Sequence, residues 1–126
     1  MTECDSERIV RDALEAFNSR DFGAYARYMA EDLVETYPQS GEQLVGRDQQ
    51  RAMHEAFPGP PTFSIRTINA DGALVVVELD EASSDGSVWQ SVFIFELRDG
   101  LVASLTGYFC EPFPAPDLRA PFRVRP

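Results

Sequence analysis

Apolar positions recur with helical spacing through the first half of the chain and alternate with polar ones through the second. Between Asp5 and Asn18, the residues Ile9, Val10, Ala13, Leu14 and Phe17 fall on the i, i+3, i+4, i+7 stripe of an amphipathic helix. Asp5 or Ser6 is placed to cap it. Arg8, Arg11, Asp12 and Glu15 mark its solvent side, with Arg8 to Asp12 and Arg11 to Glu15 one helical turn apart. Asn18-Ser19-Arg20-Asp21 interrupts the pattern, and Asp21 can cap a second, short helix through Met29 that buries Phe22, Tyr25 or Ala26, and Met29. Glu31-Asp32 reads as a turn and Leu33 to Tyr37 as a short strand ended by Pro38. Gln39 to Gly46 reads as a loop or short hairpin. A third helix is expected from Asp48 to about Phe57, stopped by Pro58-Gly59-Pro60-Pro61.

After that proline cluster the period becomes two. Phe63 to Ala70, Leu74 to Ser83, Val88 to Leu97 and Leu101 to Phe109 are expected strands, separated by Asp71-Gly72, Asp85-Gly86 and Asp99-Gly100. The two-residue Asp99-Gly100 connection is the strongest hairpin signal, because its left-handed backbone suits the twist of the flanking strands. Helices first and an antiparallel meander afterwards give an α+β class rather than a βαβ sheet. The prolines at 112, 114, 116, 121 and 126 then predict an extended tail. Its apolar residues Phe113, Leu118, Phe122 and Val124 are expected to pack along the body or along a partner subunit. The expected organisation is one domain over 1–126, with 112–126 as a proline-rich extension.

Composition narrows the chemistry. The 126 residues carry 21 acids and 11 bases, a formal charge of −10, which repels phosphate backbones and anionic lipid. Nucleic-acid and membrane partners are therefore not expected. Every base is arginine, so lysine Schiff-base chemistry and covalently held pyridoxal phosphate are excluded. His54 is the only histidine, which excludes clustered-histidine metal sites, and no metal or cofactor is expected. Cys4 and Cys110 do not form a disulfide framework. With no apolar targeting core before Ile9, the expectation is a cytoplasmic protein with reduced thiols.

Three short motifs carry a family resemblance. The Asn18-Ser19-Arg20-Asp21 turn, the Tyr37-Pro38 strand end and Gly46 match, without a gap, the interhelix turn, first-strand end and third-helix opening of ketosteroid isomerases. With the element order from Ile9 to Phe57, they make the chain resemble the nuclear transport factor 2-like superfamily. Gly46-Arg47-Asp48 and the run from Tyr108-Phe109 to Pro114 look closer to its SnoaL-like polyketide cyclases. The resemblance implies three N-terminal helices packed on a strongly curved antiparallel sheet, a cone with an internal pocket. It also implies homodimerisation through the sheet and catalysis without a cofactor.

The residues do not follow the fold into isomerase chemistry. That reaction uses a strand-end aspartate as base, with a tyrosine and a protonated aspartate donating to the dienolate oxygen. The matching positions here hold Tyr37, Ala13 and, by strand register, Phe93. Relatives resembling limonene epoxide hydrolase use an Asp-Arg-Asp network. Arg66 is the only arginine inside an expected strand before the turn at Asp85, and no inward acid stands beside it.

Alternation along each strand and the turns of each helix predict which positions face inward. Trp89, Ser91, Phe93 and Phe95 share one face of their strand and suit the concave side, with Leu105 on the next strand; Val92 and Ile94 share the other face with Gln90 and Glu96. On the third helix Gln50, Met53, His54 and Phe57 form the inward stripe, and its polar members suit a cavity better than a dry core. On the first strand Leu33, Glu35 and Tyr37 share a face. A carboxyl at Glu35 in an apolar cavity would be desolvated, raising its pKa toward neutrality.

Two function classes follow. In one, Glu35 or His54 moves protons on an apolar carbonyl or cyclic compound, while Tyr37 holds the substrate oxygen and Gln50, Met53, Phe57, Trp89, Ser91, Phe93 and Leu105 line the site. In the other, the same cavity binds a ligand without turnover, or the sheet face serves association. A purely structural domain would fill the space with its own phenylalanines.

Overall fold

The computed structural model describes residues 2–125, the side chains of Glu3 and Cys4 excepted, so the expected state of Cys4 lies outside the described residues. Helix α1 spans Glu3–Asn18 and α2 spans Phe22–Arg27; β1 (Met29–Tyr37) and β2 (Glu42–Val45) follow, then α3 (Arg47–Ala56). Four longer strands complete the body: β3 (Thr62–Asp71), β4 (Leu74–Ala82), β5 (Val88–Arg98) and β6 (Leu101–Cys110). They form one six-stranded sheet in the order β2-β1-β6-β5-β4-β3. The class is α+β, with three helices and an open sheet whose edges are β2 and β3.

The sheet corrects one expectation: it is mixed, because β1 runs parallel to β6 while the other pairs are antiparallel. A long crossover separates β1 from β6, and a strand that enters after two helices is free to pair in either sense. The second helix also ends early. Tyr28 caps it and Met29 already belongs to β1, since Val102 N–H bonds Tyr28 O at 2.9 Å and pulls the chain into the ladder. The turn expected at Glu31-Asp32 is carried inside β1 as a bulge, where pairing jumps from Met29–Val102 to Val34–Ser104.

The alternation signal translates directly into packing. Val75, Val77 and Leu79 of β4, Phe93, Phe95 and Leu97 of β5, and Val102 and Leu105 of β6 are buried against Val10, Ala13, Leu14 and Phe17 of α1. Fully burying each such side chain contributes about 1.5–3 kcal/mol. Polar ties fix the helix at both ends. Ser6 Oγ donates to Gly72 O in the β3–β4 turn at 2.6 Å. The Asn18 side chain both accepts from Phe63 N and donates to Phe63 O, each at 2.8 Å, standing in for a neighbouring strand at the edge of the sheet.

At the β5–β6 hairpin Asp99 and Gly100 both have positive φ, 53° and 80°, as the two-residue loop requires. Beyond Cys110 the expected extended tail contains one 3-10 turn, Asp117–Arg119. Its apolar residues are exposed, so of the two expected seats, the body and a partner subunit, the body is not the one they occupy. No helix among the described residues is long and apolar enough to cross a membrane.

Candidate functional site

The helices and the inner sheet face do not fill each other completely. Between them lies a cavity of about 200 Å³, walled by Phe17 of α1, Tyr25 of α2, Met53 and His54 of α3, and Phe63, Phe93, Leu105 and Phe109 of the sheet. Phe57, Pro60 and Pro61, from the α3–β3 connection, border it too. Its polar groups are few: Glu35 and Tyr37 on β1, Glu81 on β4, the Tyr25 phenol and His54. A largely apolar surface with a few convergent polar groups is the usual constitution of a small-molecule site.

Glu35 is 6% exposed, and it faces the cavity because β1 sends Leu33, Glu35 and Tyr37 to one side. Behind it stands Gln50, 1% exposed, whose Nε2 donates to Glu35 Oε1 at 2.9 Å. Burial pushes the Glu35 carboxyl above the usual carboxylate range, and the Gln50 amide and Tyr37 hydroxyl offset part of that rise. The Tyr37 hydroxyl donates to Met53 Sδ at 3.8 Å. A thioether is a weak acceptor, so the phenol can turn to a better one. Burial and the Glu35 charge raise the pKa values of Tyr25 and Tyr37, which keeps both phenols protonated.

Glu81 is a second acid on the cavity wall. Ser91 Oγ, nearly buried beneath it, donates to Glu81 Oε2 at 2.5 Å, and burial raises this carboxyl also. His54 is enclosed by the rings of Phe17, Phe22 and Tyr25, at centroid distances of 5.0, 5.6 and 5.2 Å. Its buried Nδ1 has no hydrogen-bond partner, and burial lowers its pKa to about 4. The imidazole is therefore neutral at physiological pH.

The wall formed by the proline connection is clamped. Arg20 donates through Nη2 to Pro60 O at 2.7 Å and through Nη1 to Pro61 O at 2.8 Å. Arg20 has φ 64°, a left-handed conformation that turns its side chain back over this loop. No arginine lines the cavity among the described residues. Arg66 sits at a β3 bulge on the outer face, bonding Gln90 Oε1 at 2.7 Å and lying 3.8 Å from Asp80.

Of the residues singled out from sequence, Glu35, Tyr37, Met53, His54, Phe57, Phe93 and Leu105 border the cavity. Gln50 and Ser91 do not line it: each lies one layer behind, holding a lining carboxylate. Trp89 does not border it either. It sits one residue into β5, where its cross-strand partner Glu81 reaches the cavity instead. Glu81 was legible in principle, since the inward alternation Val75, Val77, Leu79 continues to 81. Phe17, Tyr25, Phe63 and Phe109 carried only the signal of core residues. Among the described residues, no group of three or more histidine, cysteine, aspartate or glutamate side chains is placed to hold a metal ion.

Comparison with known proteins agrees with this architecture. No curated protein matches the sequence. A crystal structure of an NTF-2 like protein of unknown function from Burkholderia xenovorans LB400 is similar over 98% of this chain and 96% of its own, with 32% identity and a TM-score of 0.87. One from Kribbella flavida DSM 17836, assigned provisionally as a ketosteroid isomerase, is 25% identical with a TM-score of 0.89, covering 96% of this chain and 89% of that one. An LEH-like epoxide hydrolase of M. tuberculosis is 25% identical with a TM-score of 0.75, covering 85% and 84%. The model of the SnoaL-like domain family matches residues 10–105, and with the helix order, the six-stranded sheet and these neighbours it places the chain in that family, within the nuclear transport factor 2-like superfamily.

Proposed function

We propose that the cavity receives a small, uncharged, largely apolar ring compound bearing a carbonyl group, and that Glu35 exchanges protons with it without a cofactor. The observation that carries this reading is the Glu35 carboxyl, almost excluded from water, bordering a ring-lined cavity with no arginine or lysine to neutralise it. A cavity of about 150 Å³ accepts benzene, so about 200 Å³ suits one substituted ring. Two carboxyls and no cation in the lining disfavour an anionic ligand.

In this reading the Glu35 carboxylate takes a proton from the carbon beside the carbonyl. The electron pair moves toward the carbonyl oxygen, which the Tyr37 hydroxyl holds in place of Met53 Sδ. The proton returns from Glu35 to a carbon or to that oxygen, so the step needs no redox partner. Gln50 fixes the carboxyl's position, and Ser91 does the same for Glu81. His54, neutral and ringed by aromatics, serves as wall rather than base. The groups of a ketosteroid isomerase are missing at Ala13, Tyr37 and Phe93, and the cavity is small for a steroid, so that activity is not proposed. The sheet's outer face, half aliphatic at Val76, Val92 and Ile94, is the surface proposed for homodimerisation.

The test is exchange of the α-protons of cyclohexanone in D2O, followed by NMR. Wild-type protein is expected to accelerate exchange, and Glu35→Gln to abolish it while still binding the ketone. Binding without exchange in the wild type would leave the cavity as a non-catalytic ligand site.

A further inference from the structure

The C-terminal segment after β6 is an arm without a seat in its own chain. Phe113, Leu118, Phe122 and Val124 are 68%, 83%, 88% and 88% exposed, and among the described residues no side-chain hydrogen bond or salt bridge ties residues 112–125 to the body. Single exposed apolar residues are ordinary, but four on one short segment mark an interaction surface.

The arm is stiffened for that purpose. Prolines 112, 114, 116 and 121 restrict its backbone and lower the entropy lost on docking. It also carries its own hydrogen bonds. Arg119 N bonds Pro116 O at 3.1 Å, Phe122 N bonds Arg119 O at 3.0 Å, and Arg123 Nη1 donates to Pro116 O at 3.3 Å. These bonds fold residues 116–123 into a knob that presents Leu118 and Phe122. Two of the similar crystal structures match 96% and 98% of this chain, so their alignments run into the arm.

Charge and shape select the cover. The arm holds Arg119, Arg123 and Arg125 against Glu111 and Asp117, in a chain whose net charge is −10. The outer sheet face offers half-buried Val76, Val92 and Ile94 flanked by exposed Glu78 and Glu96, an apolar strip with acidic borders. We infer that this strip is the seat of the arm of a second copy, so that two protomers exchange arms across a twofold axis, each seating its Leu118 and Phe122 on the other's outer face. The exchange rests on the homodimeric reading of the sheet face and adds the element that closes it. A reciprocal, self-complementary contact of this kind gives a closed dimer rather than a filament.

Sedimentation of the full chain tests both levels. Wild type is expected to be a dimer. Leu118→Asp/Phe122→Asp, which leaves the body untouched, is expected to raise the dissociation constant by at least about tenfold with an unchanged circular dichroism spectrum. Ile94→Arg is expected to weaken the dimer similarly, and an equimolar mixture of the two variants to recover a heterodimer, because one sound arm then meets one sound face. A monomeric wild type would overturn the dimeric reading itself. A dimer unaffected by the arm substitutions would overturn the exchange while leaving dimerisation intact, and a mixture that stays monomeric would overturn the outer face as the seat.

Discussion

Gln50 Nε2 donates to Glu35 Oε1 at 2.9 Å, joining α3 to β1 behind the cavity through two side chains that are both almost fully buried. The amide holds the carboxyl in one position and favours its charged form. Gln50→Leu is expected to cost about 1–3 kcal/mol in denaturant unfolding, because a buried acceptor loses its donor. It is also expected to move the Glu35 pKa further upward, so the ionisation read from the pH profile of ketone exchange shifts to higher pH.

The raised Glu35 carboxyl gives stability a pH dependence of known sign. Below the unfolded-state value of about 4.5, both states hold the proton and burial of the neutral acid costs little. As pH rises from there through the elevated folded-state value, the unfolded chain releases its proton first, and stability falls. Glu35→Gln removes this loss. Its melting temperature is expected to exceed that of wild type at pH 8 and to approach it at pH 4; equal melting temperatures at both would contradict the burial argument.

His54 acts in the opposite sense. Its pKa falls from 6.5 to about 4, so on acidification the unfolded chain gains a proton that the folded one refuses. Stability present above pH 6.5 is lost as pH drops toward 4, by about 2–3 kcal/mol. His54→Phe keeps a ring among Phe17, Phe22 and Tyr25 and is expected to flatten this acid limb in urea titrations at a series of pH values, without eliminating proton exchange on a ketone.

Arg20 ties the proline connection to the end of α1 through the carbonyls of Pro60 and Pro61. Arg20→Ala is expected to destabilise the fold by about 1–2 kcal/mol. It is also expected to speed amide exchange at Gly59, Thr62 and Phe63 far more than in β5. A uniform change across the sheet would contradict a local clamp.

Much of this architecture was legible from periodicity alone. The stripe from Ile9 to Phe17 and the alternation in β4 and β5 specified which faces would be buried, and Asp99-Gly100 specified its hairpin. The parallel pairing of β1 with β6 was not legible, because strand partners far apart in sequence leave no local pattern. The site was read unevenly for a similar reason. Glu35 and Tyr37 follow from alternation along one strand, whereas the pairing of Ser91 with Glu81 requires the register between two strands. Trp89 shows the limit of face assignment: sharing a face with Phe93 does not place a residue near the end of a strand beside the cavity.

At the centre of this reading, the cavity takes a neutral ring compound against Glu35, a buried carboxyl that no cation in the lining neutralises. The most direct test is an NMR titration at pH 7 with acetophenone and, separately, benzoate, two aromatic probes of the same size that differ in charge. Acetophenone is expected to shift the methyl signals of Met53 and Leu105, which border the cavity, while benzoate leaves them in place. Equal shifts with benzoate, or none with either probe, would contradict the account.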